Sequence, residues 1–70
     1  MEKLDAVGIG QKLIKLRGDR TQQAIADELG VGVSTIGMYE RGERIPKDEI
    51  KAALAKLYHK TVQEIFFDQE

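Results

Sequence analysis

The sequence predicts an all-α domain of five short helices in which the second and third form a helix-turn-helix. Three observations carry that prediction. Apolar residues recur at helical spacing in successive segments, no segment alternates with the period of two that a half-buried strand requires, and so no sheet is expected. The stretch Gln22 to Tyr39, QQAIADELGVGVSTIGMY, then joins two such segments through a glycine-centred corner. Ala26 stands where the two helices must approach closely, and Gly30 stands at the end of the first of them, where a left-handed residue is needed. Ile25, Leu29, Val31, Ile36 and Tyr39 supply apolar groups to the inside of that corner.

Each element follows in order. Residues 1–8 carry little periodicity and are expected to fray or to form only a first turn, with the domain proper at residues 9–67 and a tail at 68–70. Ile9, Leu13 and Leu16 share one face of a first helix that runs to about Arg17. Gly18-Asp19-Arg20 is a short turn, and Thr21 caps a second helix from Gln22 to Leu29. A third helix begins at Gly32 or Val33 and stops near Arg41-Gly42. Arg41 to Lys47 is the longest loop, with Pro46 as a rigid entry to the fourth helix. Ile50, Ala53, Leu54 and Leu57 mark the apolar stripe of that helix to about Tyr58. Thr61-Val62-Gln63-Glu64 has the form of a capping box, so a fifth helix starts there with Val62, Ile65 and Phe66 facing inward.

Composition narrows the chemistry. At 70 residues the chain makes one small domain near the size limit for an unstapled core. With no cysteine and one histidine, His59, it has neither a disulfide nor the ligands of a zinc site, so no metal and no cofactor are expected. No apolar run reaches signal-peptide or membrane-span length, and an intracellular, cytoplasmic location with no membrane partner is expected. Net charge is −1, from 11 Lys and Arg against 12 Asp and Glu, which argues weakly against a nucleic-acid partner. The distribution argues the other way. Lys12, Lys15, Arg17 and Arg20 cluster in and after the first helix and Arg41, Arg44 and Lys47 follow the third, whereas Glu64, Asp68 and Glu70 crowd the far end.

Taken together, the motifs IGQKLIKLR, TQQAIADELGV, STIGMYERGERIP and TVQEIFF resemble the Xre/Cro-type phage-repressor DNA-binding family over roughly Ile9 to Phe67. The resemblance implies a five-helix, lambda-repressor-like fold that places the third helix in the major groove of duplex DNA. It implies base contact by Val33, Ser34 and Met38, and phosphate contact by Gln22 at the N-terminus of the second helix and by Arg41 and Arg44 in the loop that follows the third. It also implies a structural ion pair between Arg17 and Glu40. The chain departs from the family pattern in the shortness of its first turn, in Gly32 as the N-cap of the third helix, and in Gly37 inside that helix, which costs about 1 kcal/mol relative to alanine.

The outward face of the third helix comprises Val33, Ser34, Gly37 and Met38, with Thr35 available to a phosphate. None of these side chains can make the paired hydrogen bonds that usually read guanine or adenine. Val33 can pack on a thymine methyl, Ser34 can bond either kind of base edge, and Gly37 lets the helix sit closer, so an A·T-leaning half-site with modest discrimination is expected. The structural alternatives are a helix-capping role for Ser34 and Thr35 and a gap-filling role for Met38. Phe66 and Phe67 are adjacent and cannot share one inward stripe. Phe67 then either lines a dimer contact with Leu57 or Tyr58 or is buried by a returning tail.

The expected function is a sequence-specific regulator, a repressor by preference, that binds a palindromic duplex operator as a homodimer and takes no small-molecule ligand. The alternative is a protein-interaction module of antitoxin or adaptor type that uses the apolar face of the third helix. Catalysis is excluded, because no nucleophile and base are placed to act together and the pairs Asp27-Glu28 and Asp48-Glu49 diverge around their helices.

Overall fold

The computed structural model describes residues 5–67. Its elements are α1 (Ala6–Arg17), α2 (Gln22–Leu29), α3 (Val33–Arg41), α4 (Asp48–Leu57) and a closing single turn, α5 (Gln63–Phe67). No strand occurs among the described residues. Helix α3 lies at the centre, packed most extensively on α1 and α2, while α1 also meets α5 and α2 meets α4.

The core forms where these helices converge. Ile9 and Leu13 of α1, Ile25 and Ala26 of α2, Ile36 and Tyr39 of α3, Leu54 and Ala55 of α4, and Ile65 and Phe66 of α5 are all buried. Ala26 is 0% exposed, as a close approach of α2 to its neighbours requires. Leu29 and Val31 are only partly buried, at the edge of the corner.

Three expectations are corrected. Helix α1 starts at Ala6, not Ile9, because Asp5 caps it by accepting a hydrogen bond from the Gly8 amide at 3.0 Å. Residues 6–8 therefore form a first turn, the second of the two alternatives for this segment, and Val7 packs so closely on Gly42 that a Cβ at residue 42 would lie 2.8 Å from its Cα. Residues 1–4 and 68–70, also assigned to a frayed end and a tail, lie outside the described residues.

The second correction concerns α4, whose buried face is Lys51, Leu54, Ala55 and Tyr58, leaving Ile50, Ala53 and Leu57 half-buried. A lysine hid the true stripe. The Lys51 stem is covered while its ammonium lies 5.8 and 5.2 Å from the Phe66 and Phe67 ring centroids and 3.7 Å from Asp48.

Third, Tyr58 is 6% exposed and belongs to the core, so it offers no dimer surface. The Arg20 guanidinium covers its ring at 5.2 Å. Of the other two dimer candidates, Leu57 is half-buried and Phe67 is 44% exposed.

The helix ends follow a common design. After α2, α3 and α4 the chain passes through Gly30 (φ 72°), Gly42 (φ 78°) and His59 (φ 58°), and the next residue's amide reaches back to Ala26, Met38 and Ala55 respectively. Before α5 the capping box is reciprocal, with the Thr61 amide donating to Glu64 at 2.8 Å and the Glu64 amide to Thr61 at 3.0 Å. The turn that follows is π-helical and wider than an α-helix. Adjacent side chains diverge less in it, so Ile65 and Phe66 both reach the core while Phe67 stays outside.

Candidate nucleic-acid interface

The corner between α2 and α3 is held by one buried carboxylate. The Glu40 side chain is 4% exposed, and it accepts from Arg17 Nε at 2.7 Å, from Arg17 Nη2 at 3.1 Å and from the Gln22 amide at 2.8 Å. Arg17 also donates to the Arg20 carbonyl at 2.8 Å. The last turn of α1, the first of α2 and the last of α3 thus meet on a single acceptor, and the side-chain hydrogen bond to Glu40 raises the Arg17 pKa above its ordinary value. Beside this cluster, α1 and α3 touch backbone to backbone, because a Cβ at Gly10 would run into the carbonyl oxygens of Tyr39 and Glu40.

Gln22 therefore has a role that its family position did not announce. One hydrogen of its carboxamide is engaged by Glu40, which orients the group and leaves the second hydrogen and the α2 N-terminus for an outside acceptor. Thr21 completes that terminus by accepting from the Ala24 amide at 3.0 Å.

The outward face of α3 is uneven. Val33 is 39% exposed, and the Ser34 hydroxyl is exposed with no hydrogen-bond partner among the described residues. It does not cap α3, whose Gly32 N-cap also makes no side-chain hydrogen bond. Thr35 and Met38 are half-buried. Gly37 is not open; it lies beneath the Arg41 guanidinium, and a Cβ added there would meet Arg41 Nη1 at 2.8 Å.

Arg41 itself is turned back along α3 and clasped by Glu43. Its Nε donates to Glu43 Oε2 at 3.0 Å and its Nη2 to Oε1 at 3.2 Å. This hydrogen-bonded pair raises the Arg41 pKa and lowers that of Glu43, although both side chains are largely in water. Arg44 is exposed and has no ion-pair or hydrogen-bond partner among the described residues.

The basic cluster of α1 is divided by the fold. Arg17 is taken by Glu40, and Arg20 folds over Tyr58 and donates to the Leu16 carbonyl at 3.2 Å. Lys12 reaches the Glu64 carbonyl oxygen at 3.0 Å, which puts it with the acidic end of the chain and not with Arg41 and Arg44. The cations that adjoin α3 in the chain are Arg41, in its last turn, and Arg44, in the loop that follows.

Residues 11–65 match the Helix-turn-helix family. Over 57 residues the chain is 35% identical to the transcriptional repressor RstR of the cryptic phage CTXphi of Vibrio cholerae, an alignment covering 81% of this chain and 51% of that protein. The chain thus spans about half the length of that relative. The crystal structure of the restriction-modification controller protein C.AhdI from Aeromonas hydrophila matches it with a TM-score of 0.79 and 31% identity, over 89% of this chain and 97% of that one.

Proposed function

The chain belongs to the Xre/Cro-type helix-turn-helix family of DNA-binding regulators, and on that premise we propose that it represses transcription by inserting α3 into the major groove of a duplex operator. The observation that carries this reading is the triple contact of Arg17, Gln22 and Glu40. It fixes the angle of α3 at its C-terminal end and leaves Val33 and the Ser34 hydroxyl exposed in its first turn, the end that such helices present to base edges.

Phosphate oxygens then meet the α2 N-terminus with the free Gln22 amide hydrogen, the Thr35 hydroxyl and Arg44. A second copy doubles these contacts, which one small module needs for a tight and specific complex. Exposed Phe67 and half-buried Leu57 supply the apolar part of that contact, and two-fold symmetry in the protein asks for a palindrome in the operator.

The test is selection of binders from a random duplex library at near-physiological salt, followed by a salt titration of the winner. An enriched palindrome whose affinity falls steeply with salt is expected, because phosphate contacts release counterions. A folded protein that enriches nothing would shift the reading to a protein-docking module.

A further inference from the structure

We infer that Arg41 is a base-reading residue, a guanine contact built from three parts of the chain: the arginine, the Gly37 seat beneath it and the Glu43 clasp that orients it. This rests on the proposed placement of α3 in the major groove. Arg41 otherwise passes for a backbone contact, because its Cα stands in the last turn of α3, beyond the N-terminal part that reaches deepest.

Its side chain does not stay there. Long helical side chains lean toward the helix N-terminus. Arg41 does so with its Nη1 nitrogen 2.8 Å from where a Gly37 Cβ would be, one turn nearer the bases. At helical spacing it shares a face with Ser34 and Met38. The guanidinium thus fills the one place on this face where the helix carries no side chain, and the Arg41 side chain as a whole is 59% exposed.

The hydrogen-bond pattern separates base reading from phosphate binding. Glu43 takes Nε–H and one Nη2–H, the side edge of the fork. The end edge, one hydrogen each from Nη1 and Nη2, stays open. A pair of parallel donors held in a plane matches O6 and N7 of guanine in the major groove. A phosphate is a poor match, since its charge would be brought up to the Glu43 carboxylate across the same guanidinium. The half-site expected from Val33 and Ser34 thus gains one obligatory G·C pair.

The experiment is a duplex selection with the wild type, Arg41→Ala and Glu43→Gln, each verified as folded by its thermal midpoint. Titrations then use the selected site and a copy carrying 7-deazaguanine, which lacks N7, at the conserved guanine. The wild type should lose affinity on the order of tenfold when N7 is removed. Arg41→Ala should bind the two sites equally and select no guanine at that position. Glu43→Gln should bind nonspecific duplex more tightly while discriminating less. The inference is overturned if no guanine in the selected site depends on Arg41, or if Arg41→Ala weakens all duplexes alike and lowers the salt slope by about one, as a phosphate contact would. Unchanged discrimination in Glu43→Gln overturns the clasp. Failure of the wild type to bind any duplex would instead overturn the proposed function itself.

Discussion

Two arginine–glutamate pairs sit on neighbouring residues of α3 and do opposite work. Glu40 pairs with Arg17 at 2.7 Å, with side chains 20% and 4% exposed in the order arginine, glutamate. Arg41 pairs with Glu43 at 3.0 Å, with side chains 59% and 55% exposed in the same order. Both are bidentate, so geometry does not distinguish them. Burial does. A carboxylate removed from water must keep all its partners, and that obligation ties α1, α2 and α3 into one corner. An ion pair in water adds little to stability, which leaves its arginine available to exchange or share partners with an incoming ligand. Adjacent residues on a helix point about 100° apart, and that rotation alone sends Glu40 inward and Arg41 outward.

The largest expected effect comes from breaking the buried pair. Arg17→Ala should destabilise the fold by about 3–5 kcal/mol, because Glu40 is left buried with only Gln22 to satisfy it. Glu40→Ala should cost less, since the partly exposed Arg17 guanidinium can turn to solvent. Denaturant melts of both variants check the order, and the reverse order would mean that the two arginine pairs differ less than their burial suggests. Gly10→Ala comes next, at about 1–3 kcal/mol, because the new Cβ meets the carbonyls of Tyr39 and Glu40, which are backbone and cannot move aside.

Gly37→Ala sharpens the comparison by reversing the sign. Its Cβ meets only the flexible end of Arg41, so the gain in helix propensity should stabilise the protein by about 1 kcal/mol. The same Cβ displaces the guanidinium from its seat, and discrimination in a duplex titration should fall as the melting temperature rises. Arg41→Ala should leave the melting temperature unchanged while altering base preference.

The smallest effect is a pH dependence that reports on the buried pair. Burial pushes the Tyr58 phenol up, and the nearby Glu40 charge adds to this against the opposing charges of Arg20 and Arg17. A folded pKa above the unfolded value of about 10 means that the contribution of Tyr58 is intact below pH 10 and is lost as pH rises through the folded pKa. Phenolate absorbance during an alkaline titration follows it directly. In Glu40→Gln the Tyr58 transition should move to lower pH.

The sequence by itself determined the helical class, the α2–α3 corner and most helix limits, because those depend on signals a few residues apart. Thr21 as a cap, Gly30 and Gly42 as left-handed stops, the Thr61 to Glu64 box and the spacing of Ile9, Leu13, Ile25 and Ile36 are all local. The start of α1 was legible too, in Asp5, but that cap precedes a turn with no apolar stripe to mark it. Only the tertiary structure decided what depends on neighbours distant in the chain. Lys51 is buried because Phe66 and Phe67 fold over it. Tyr58 is core, not surface, with its ring covered by Arg20 from the turn between α1 and α2. Gln22 is turned toward Glu40, and Lys12 toward the Glu64 carbonyl, away from the face of α3. Gly37 read alone is a weak point in a helix, and the guanidinium of Arg41 above it makes it a seat. Side-chain direction is set by packing and by the competition of charged groups for partners, and neither leaves a periodic mark in the sequence.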